Sequence, residues 1–230
     1  MKIGIIGAME EEIRILVPQI QQCQSHTVAS FEFYSGLLQG HEITLVQSGI
    51  GKVNASLSVA LLVEHFGVEL IINTGSAGGL GQGLQVGDVV VADRLIHHDV
   101  DVTAFGYRYG QMAGMPASYQ PAGELVATAV KTCQRQGKVV HQGLVVSGDV
   151  FVAGAEPIAK IKAHFPDALA CEMESAAIAQ AAHVLGVPYL IIRAISDSAD
   201  SEAHISFDEF ILLAGKASAE LVVELLGELV

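Results

Sequence analysis

The chain has 230 residues, a net charge of −13 and 51% hydrophobic residues. That acidic field repels phosphate backbones and anionic headgroups, which argues against nucleic acid and membrane surfaces as partners, while the apolar content suffices for a large core. No Pro/Gly/Ser-rich linker divides the sequence, so one domain over residues 1–230 is expected. Short β-branched runs alternate with longer amphipathic ones, the pattern of an α/β sheet covered by helices. Lys2–Gly7 reads as a buried first strand and Glu10–Gln22 as the helix after it. Phe31–Leu38 and His41–Gln47 read as a hairpin about Gln39-Gly40. Lys52–Phe66 is expected to be a helix, stopped by Gly67. Leu70–Thr74 and Asp88–Leu95 read as further strands, and residues 98–121 as a long loop of the kind that often carries function. Glu124–Gln136 is expected as helix, Val139–Ser147 as strand, and Glu156–His164 as a helix with Pro157 in its first turn. Ala168–Cys171 and Tyr189–Ala194 read as strands, Ser175–Leu185 and Phe207–Leu229 as helices. The apolar start meets Glu10-Glu11-Glu12 at once, too soon for a signal peptide, and no run of about 18 apolar residues is present to span a membrane. Cys23, Cys133 and Cys171 stand far apart without a CxxC, which gives neither a disulfide framework nor a zinc site and suits a reducing compartment.

Five motifs fall at the ends of expected strands. In Gly4-Ile5-Ile6-Gly7-Ala8-Met9-Glu10-Glu11-Glu12 the GxGxxG spacing is absent, and three carboxylates oppose the field a pyrophosphate needs at a helix start. Glu10 and Glu11 are accounted for as complements to the helix dipole. Asn73-Thr74-Gly75-Ser76-Ala77-Gly78-Gly79 permits close backbone approach to a ligand, or makes an ordinary glycine turn. In Ser147-Gly148-Asp149-Val150-Phe151-Val152, Phe151 is either a ring face for a heterocycle or a core aromatic. Within Cys171-Glu172-Met173-Glu174-Ser175, Glu174 borders an apolar stretch and needs a partner; a sugar diol or a helix start would serve. Asp197 and Ser196, in Arg193-Ala194-Ile195-Ser196-Asp197-Ser198-Ala199-Asp200, are alternatively plain helix caps. Each motif alone is weak. Their shared position at strand ends is the signal, because that edge of an α/β sheet is where ligands bind.

Together with Ser48-Gly49-Ile50-Gly51-Lys52-Val53-Asn54-Ala55 and Asp99-Val100-Asp101-Val102-Thr103-Ala104-Phe105-Gly106-Tyr107, these motifs resemble, in order and spacing, the 5′-methylthioadenosine/S-adenosylhomocysteine nucleosidase family. The resemblance runs from residue 1 to about residue 213. The wider group is the purine nucleoside phosphorylase type. The resemblance implies its three-layer fold, a twisted mixed central sheet flanked by helices, and a homodimer in the cytoplasm acting on adenine thionucleosides. By resemblance, Asp197 is the general acid that protonates adenine N7, with Ser196 beside it, and Glu12 is the base that activates water. Glu174 binds the ribose hydroxyls with Met173 against the sugar, and Arg193 and Ser76 help to hold water and ribose. Phe151 stacks on adenine, the backbone of Val152 reads the purine edge, and Gly78 lies on the substrate-facing backbone. Met9, Ile50, Val102 and Phe105 line an apolar slot for the 5′-thioalkyl group, and Phe207 with the loop near Tyr107 completes the pocket from a second subunit. Where the family often has proline, this chain has Ala113.

The chemistry suits these residue types. Adenine is a poor leaving group as an anion, and protonation at N7 during bond cleavage removes that barrier. A free aspartic acid has a pKa of roughly 3.9, so burial must help Asp197 to carry a proton at neutral pH. Negative carboxylates at Glu12 and Glu174 would stabilise the positive charge that develops on the sugar, as paired carboxyls do in glycosidases. No metal or cofactor is called for, and His97 and His98, adjacent on a strand, face opposite ways. Two other readings remain. A phosphorylase would need arginines around its anion, and Arg193 is the only one within these motifs. A nucleoside sensor would keep the pocket without the acid and base.

Overall fold

The computed structural model of the protein describes residues 1–197 and 203–229, and the side chains of all of these except 203–209. In chain order its elements are β1 (Lys2–Gly7), α1 (Glu10–Ile13), β2 (Gln21–Val28), β3 (Phe31–Leu38), β4 (His41–Gln47), α2 (Lys52–Glu64), β5 (Leu70–Gly79), β6 (Val89–His97), α3 (Gly123–Arg135), β7 (Val140–Ser147), α4 (Ala155–His164), β8 (Ala168–Glu172), α5 (Ser175–Leu185), β9 (Tyr189–Asp197) and α6 (Ala203–Leu226).

Among the described residues the strands form one nine-stranded mixed sheet in the order β2-β3-β4-β1-β5-β8-β7-β6-β9, with β5 also paired to β9. That extra pairing closes β5, β8, β7, β6 and β9 into a ring, so half of the sheet curls into a barrel rather than lying open. Strand β5 makes this possible by changing partners along its length. Residues 70–73 pair with β1, residues 71–78 with β9, and Gly78 and Gly79 with β8. Helices cover both faces. On one, Ala55, Val59 and Leu62 of α2 and the small residues Ala176, Ala179 and Ala182 of α5 bury against Ile6, Ile71 and Ile191. On the other, Val126 and Ala129 of α3 and Leu221 and Leu225 of α6 meet Ile5, Ile72, Val91 and Ile192. Apolar residues at both faces of β1, β5 and β9 explain why these strands read as unbroken hydrophobic runs. The three-layer mixed α/β architecture is the one the sequence implies.

Several elements differ from the sequence reading. The expected helix Glu10–Gln22 is a single turn, Glu10–Ile13, then a 3-10 turn at Val17–Gln19 and the strand β2. Pro18 enters that 3-10 turn, and Gln22 sits at φ +54°, a left-handed conformation that no helix continues through. Strand β2 carries almost no buried side chain and exists because its backbone pairs antiparallel with β3, so no hydrophobic alternation announces it. Strands β5 and β9 run to Gly79 and Asp197, beyond the expected ends at Thr74 and Ala194. Each is the other's parallel partner from Ile71↔Tyr189 to Gly78↔Asp197, so the glycine-serine and serine-aspartate motifs lie within strand rather than in loops. Helix α6 begins at Ala203, before the expected Phe207. Among the described residues, no helix is long and apolar enough to cross a membrane.

Candidate active site

A cleft of about 170 Å³ opens where the ends of β1, β5, β7, β8 and β9 converge. Glu12 forms one wall. Its position follows from the turn after β1: Met9 is extended and caps the single-turn helix α1, and the Glu12 side chain folds back across that turn. Oε2 accepts from the amides of Ala8 at 2.7 Å and Met9 at 3.2 Å. Oε1 accepts from the Ser76 amide at 2.9 Å and the Ser76 hydroxyl at 3.2 Å. Four donors thus fix both oxygens of a side chain that is 3% exposed. Gly75 is required here, since a Cβ at that position would lie 2.3 Å from Arg193 Nη1 and 2.6 Å from Glu12 Oε1.

Arg193 projects from the middle of β9 and is fully buried. A buried guanidinium is tolerable only when paired and hydrogen-bonded. Its Nη2 donates to Glu172, to Asn73 Oδ1 and to Ser175 Oγ at 2.8 Å, and its Nε donates to Ser175 Oγ at 3.1 Å. Glu172 is held in turn by the Ser147 hydroxyl and by the Glu174 and Ser175 amides. Arg193 Nη1 has no hydrogen-bond partner among the described residues and lies on the Glu12 side, across Gly75.

Glu174 has a different environment. Its Oε1 accepts from the Gly51 amide at 2.9 Å, and its Oε2 stands 3.8 Å from Arg193 Nη2. Burial and the charge of Glu172 outweigh Arg193 and the Gly51 amide and push the Glu174 carboxyl up to about 8. Burial and the Glu172 charge thus favour the neutral form of Glu174 more than in a free carboxyl group. A neutral carboxyl both donates and accepts, which suits a pair of hydroxyls.

Asp197 also lines the cleft. It is 3% exposed, and its Oδ2 accepts from the Ser196 hydroxyl at 2.8 Å. Met9, Ile50, Ser76 and Gly78 line the cleft, as do Phe151, Val152, Met173 and Ser196. Phe151 and Ile50 are 47% and 51% exposed, at the rim. The two histidines are engaged elsewhere: His97 Nε2 lies 2.9 Å from Gln180 Oε1, and His98 packs against Gly148.

Comparison with known proteins fits this geometry. The phosphorylase superfamily model matches residues 2–227. The 5′-methylthioadenosine/S-adenosylhomocysteine nucleosidase of Actinobacillus succinogenes is 48% identical over 229 residues, covering 100% of both chains. The crystal structure of S-adenosylhomocysteine nucleosidase from Streptococcus pyogenes, in complex with 5-methylthiotubericidin, is 51% identical with a TM-score of 0.98 and covers 100% of this chain and 98% of that one. The 5′-methylthioadenosine/S-adenosylhomocysteine nucleosidase from Neisseria meningitidis, in complex with methylthio-immucillin-A, is 48% identical with the same TM-score and 99% of each chain covered. The chain belongs to the 5′-methylthioadenosine/S-adenosylhomocysteine nucleosidase family, within the phosphorylase superfamily.

For a member of this nucleosidase family the distribution of the expected residues is uneven. Val102 and Phe105 do not line the cleft of their own chain. They sit on the 3-10 turn Thr103–Phe105 and its entry, and Phe105 is 82% exposed. Arg193 lies behind the lining, reaching the site through Glu172 and Glu174. The side chain of Phe207 lies outside the described residues. Glu172, Asn73, Ser175 and Ser147, which hold the arginine of this nucleosidase fold, carry no expected role from the sequence. One signal for them was present: an arginine inside an otherwise apolar strand demands a buried carboxylate, and the Glu-Met-Glu motif offers two.

Proposed function

We propose that this protein hydrolyses the N-glycosidic bond of 5′-methylthioadenosine and S-adenosylhomocysteine, and of 5′-deoxyadenosine, releasing adenine and the corresponding ribose. The observation that carries the reading is the presence of two buried carboxyl groups, Glu12 and Asp197, in the lining of one largely apolar cleft. In this reading Asp197 donates a proton to adenine N7 as the glycosidic bond breaks. Ser196 donates to the other side of the Asp197 carboxyl group and orients it. Phe151 stacks on the purine, the Val152 and Gly78 backbone lies along it, and Met173 packs on the sugar. Glu174 engages the ribose hydroxyls.

Glu12 takes the proton of the attacking water. Its four donors fix its orientation before substrate arrives, so little reorganisation accompanies the reaction. Arg193 Nη1 and Glu12 Oε1 flank the space above Gly75, a donor and an acceptor suited to one water between them. Phosphate as nucleophile is disfavoured by the same facts. The one arginine near the cleft is already engaged with Glu172, Asn73 and Ser175, and Glu12, Glu172 and Glu174 crowd the place an anion would take.

We read the working form as a homodimer in the cytoplasm. Exposed Phe105, with Ile50 at 51%, Val53 at 70% and Leu57 at 49% exposure, supports a second copy supplying Val102, Phe105 and Phe207 to the thioalkyl end of the cleft. The test is adenine release from the three nucleosides, followed by absorbance, with and without phosphate. Release in phosphate-free buffer, unchanged on adding phosphate, is expected. Dependence on phosphate with a sugar 1-phosphate product would identify a phosphorylase, and tight binding without turnover would identify a sensor.

A further inference from the structure

Three segments that border the cleft are tied together at its rim. The Lys52 ammonium donates to Asp99 Oδ1 at 2.7 Å. Asp99 Oδ2 accepts from the Asp149 amide at 2.9 Å. Asp149 Oδ1 accepts from the Lys52 amide at 2.8 Å. The result is a closed triangle joining the start of α2, the segment after β6 and the segment after β7. Lys52 and Asp99 are only 20% and 21% exposed at their side chains, so the pair is partly shielded from solvent. Partial burial opposes the charge on Asp99, but Lys52, the Asp149 amide and His98 outweigh it, and its carboxyl is held below the usual range.

The start of α2 shows what the triangle holds. Gly51 is the N-cap and provides no side-chain cap of its own. Two consecutive amides at this helix start are taken by carboxyl groups from elsewhere in the chain: Asp149 accepts from Lys52, and Glu174 accepts from Gly51. Gly51 adopts φ +97°, and a Cβ there would stand 3.1 Å from Asp149 Oδ1. That backbone turns the Gly51 amide toward Glu174 while bringing its own Cα against Asp149. The single hydrogen bond that anchors Glu174 Oε1 therefore comes from a segment whose position is set by Asp149, and through it by Asp99 and Lys52.

We infer that Lys52, Asp99 and Asp149 are positioning residues that hold the Gly51 amide on Glu174 and so aim Glu174 into the cleft. This rests on the reading of Glu174 as the ribose-binding group. The triangle touches no reacting atom. It acts on substrate affinity, and it links the segment carrying Ile50 to the segments carrying Val102 and Phe151.

The test is a double-mutant cycle on the whole protein with methylthioadenosine as substrate. Asp149→Ala, Asp99→Asn and Lys52→Met are each made in the wild-type and Glu174→Gln backgrounds, with Tm recorded alongside. In the wild-type background each is expected to raise KM about five- to twentyfold while kcat changes less than about threefold, the coupling expected of groups in one network. In the Glu174→Gln background the same changes should raise KM less than about twofold. Lys52→Arg, which keeps the cation, should restore KM. Asp99→Asn and Lys52→Met, at the partly exposed corner, guard against a fold lost in Asp149→Ala. Equal KM increases in both backgrounds, or no increase in either, would overturn the triangle's role while leaving Glu174 in place. A Glu174→Gln protein with wild-type KM and kcat would instead overturn the ribose reading, and the inference with it.

Discussion

The floor and the rim of the cleft are built on opposite plans. On the floor, Glu12, Glu172, Arg193, Asn73 and Ser175 are nearly or wholly buried, and their hydrogen bonds fix them from several directions. At the rim, Ile50 and Phe151 are roughly half exposed and apolar. The floor is a preorganised electrostatic site, costly to assemble because every buried charge needs its partner. The rim is apolar surface awaiting something to cover. This division assigns bond cleavage to the floor and discrimination of the 5′ group to the rim, and it predicts that substitutions in the two regions fail differently.

Floor substitutions should cost the most. Asp197→Asn should lower kcat by about 10²–10⁴-fold, the usual contribution of a general acid, while methylthioadenosine analogues still bind. Glu12→Gln should lower kcat by about 10²–10³-fold with KM little changed. Steady-state kinetics with adenine release checks both, and a raised KM with normal kcat would move either residue from the floor's role to the rim's. Glu172→Gln acts on the fold first. It leaves the buried Arg193 charge without its carboxylate, at a cost of about 3 kcal/mol, read as a lower denaturation midpoint. Phe105→Ala, which removes the side chain proposed to cover the rim from a second copy, should leave Tm unchanged and raise KM about tenfold, more for methylthioadenosine than for 5′-deoxyadenosine, as expected for a lost apolar contact.

The smallest effect sharpens the contrast within the floor. Burial and the nearby charge of Glu172 raise the Glu174 pKa to about 8 from 4.5. A carboxyl raised in the folded state contributes its full stability below pH 4.5, and that contribution is lost as pH rises through about 8. Glu174→Gln should therefore raise Tm by a few degrees at pH 9 and leave it unchanged near pH 4.5, measured without ligand. Equal shifts at both pH values would show that the charge of Glu174 is not what the fold resists.

The legibility of the sequence follows the same division. Buried strands such as Lys2–Gly7 and Tyr189–Ala194 were readable because apolar residues on both faces leave an unbroken run. The edge strand Gln21–Val28 was not, because it is held by backbone pairing to β3 and its side chains face solvent. Motif spacing pointed to the residues lining the cleft, from Met9 to Asp197. It assigned no role to Glu172 or Asn73, whose partners lie far apart in sequence and meet only when β5, β8 and β9 close into a ring. Nor did it show the upward shift of the Glu174 carboxyl, which depends on the burial and the Glu172 charge that the fold brings to it.

The claim that Asp197 delivers a proton to adenine N7 is tested most directly by the 7-deaza analogue of methylthioadenosine, in which carbon replaces that nitrogen. The account predicts that the analogue competes with substrate for the cleft and releases no detectable base. Cleavage of the analogue at a rate within about tenfold of methylthioadenosine would contradict it, because an acid with nothing to protonate cannot assist the departure of the base.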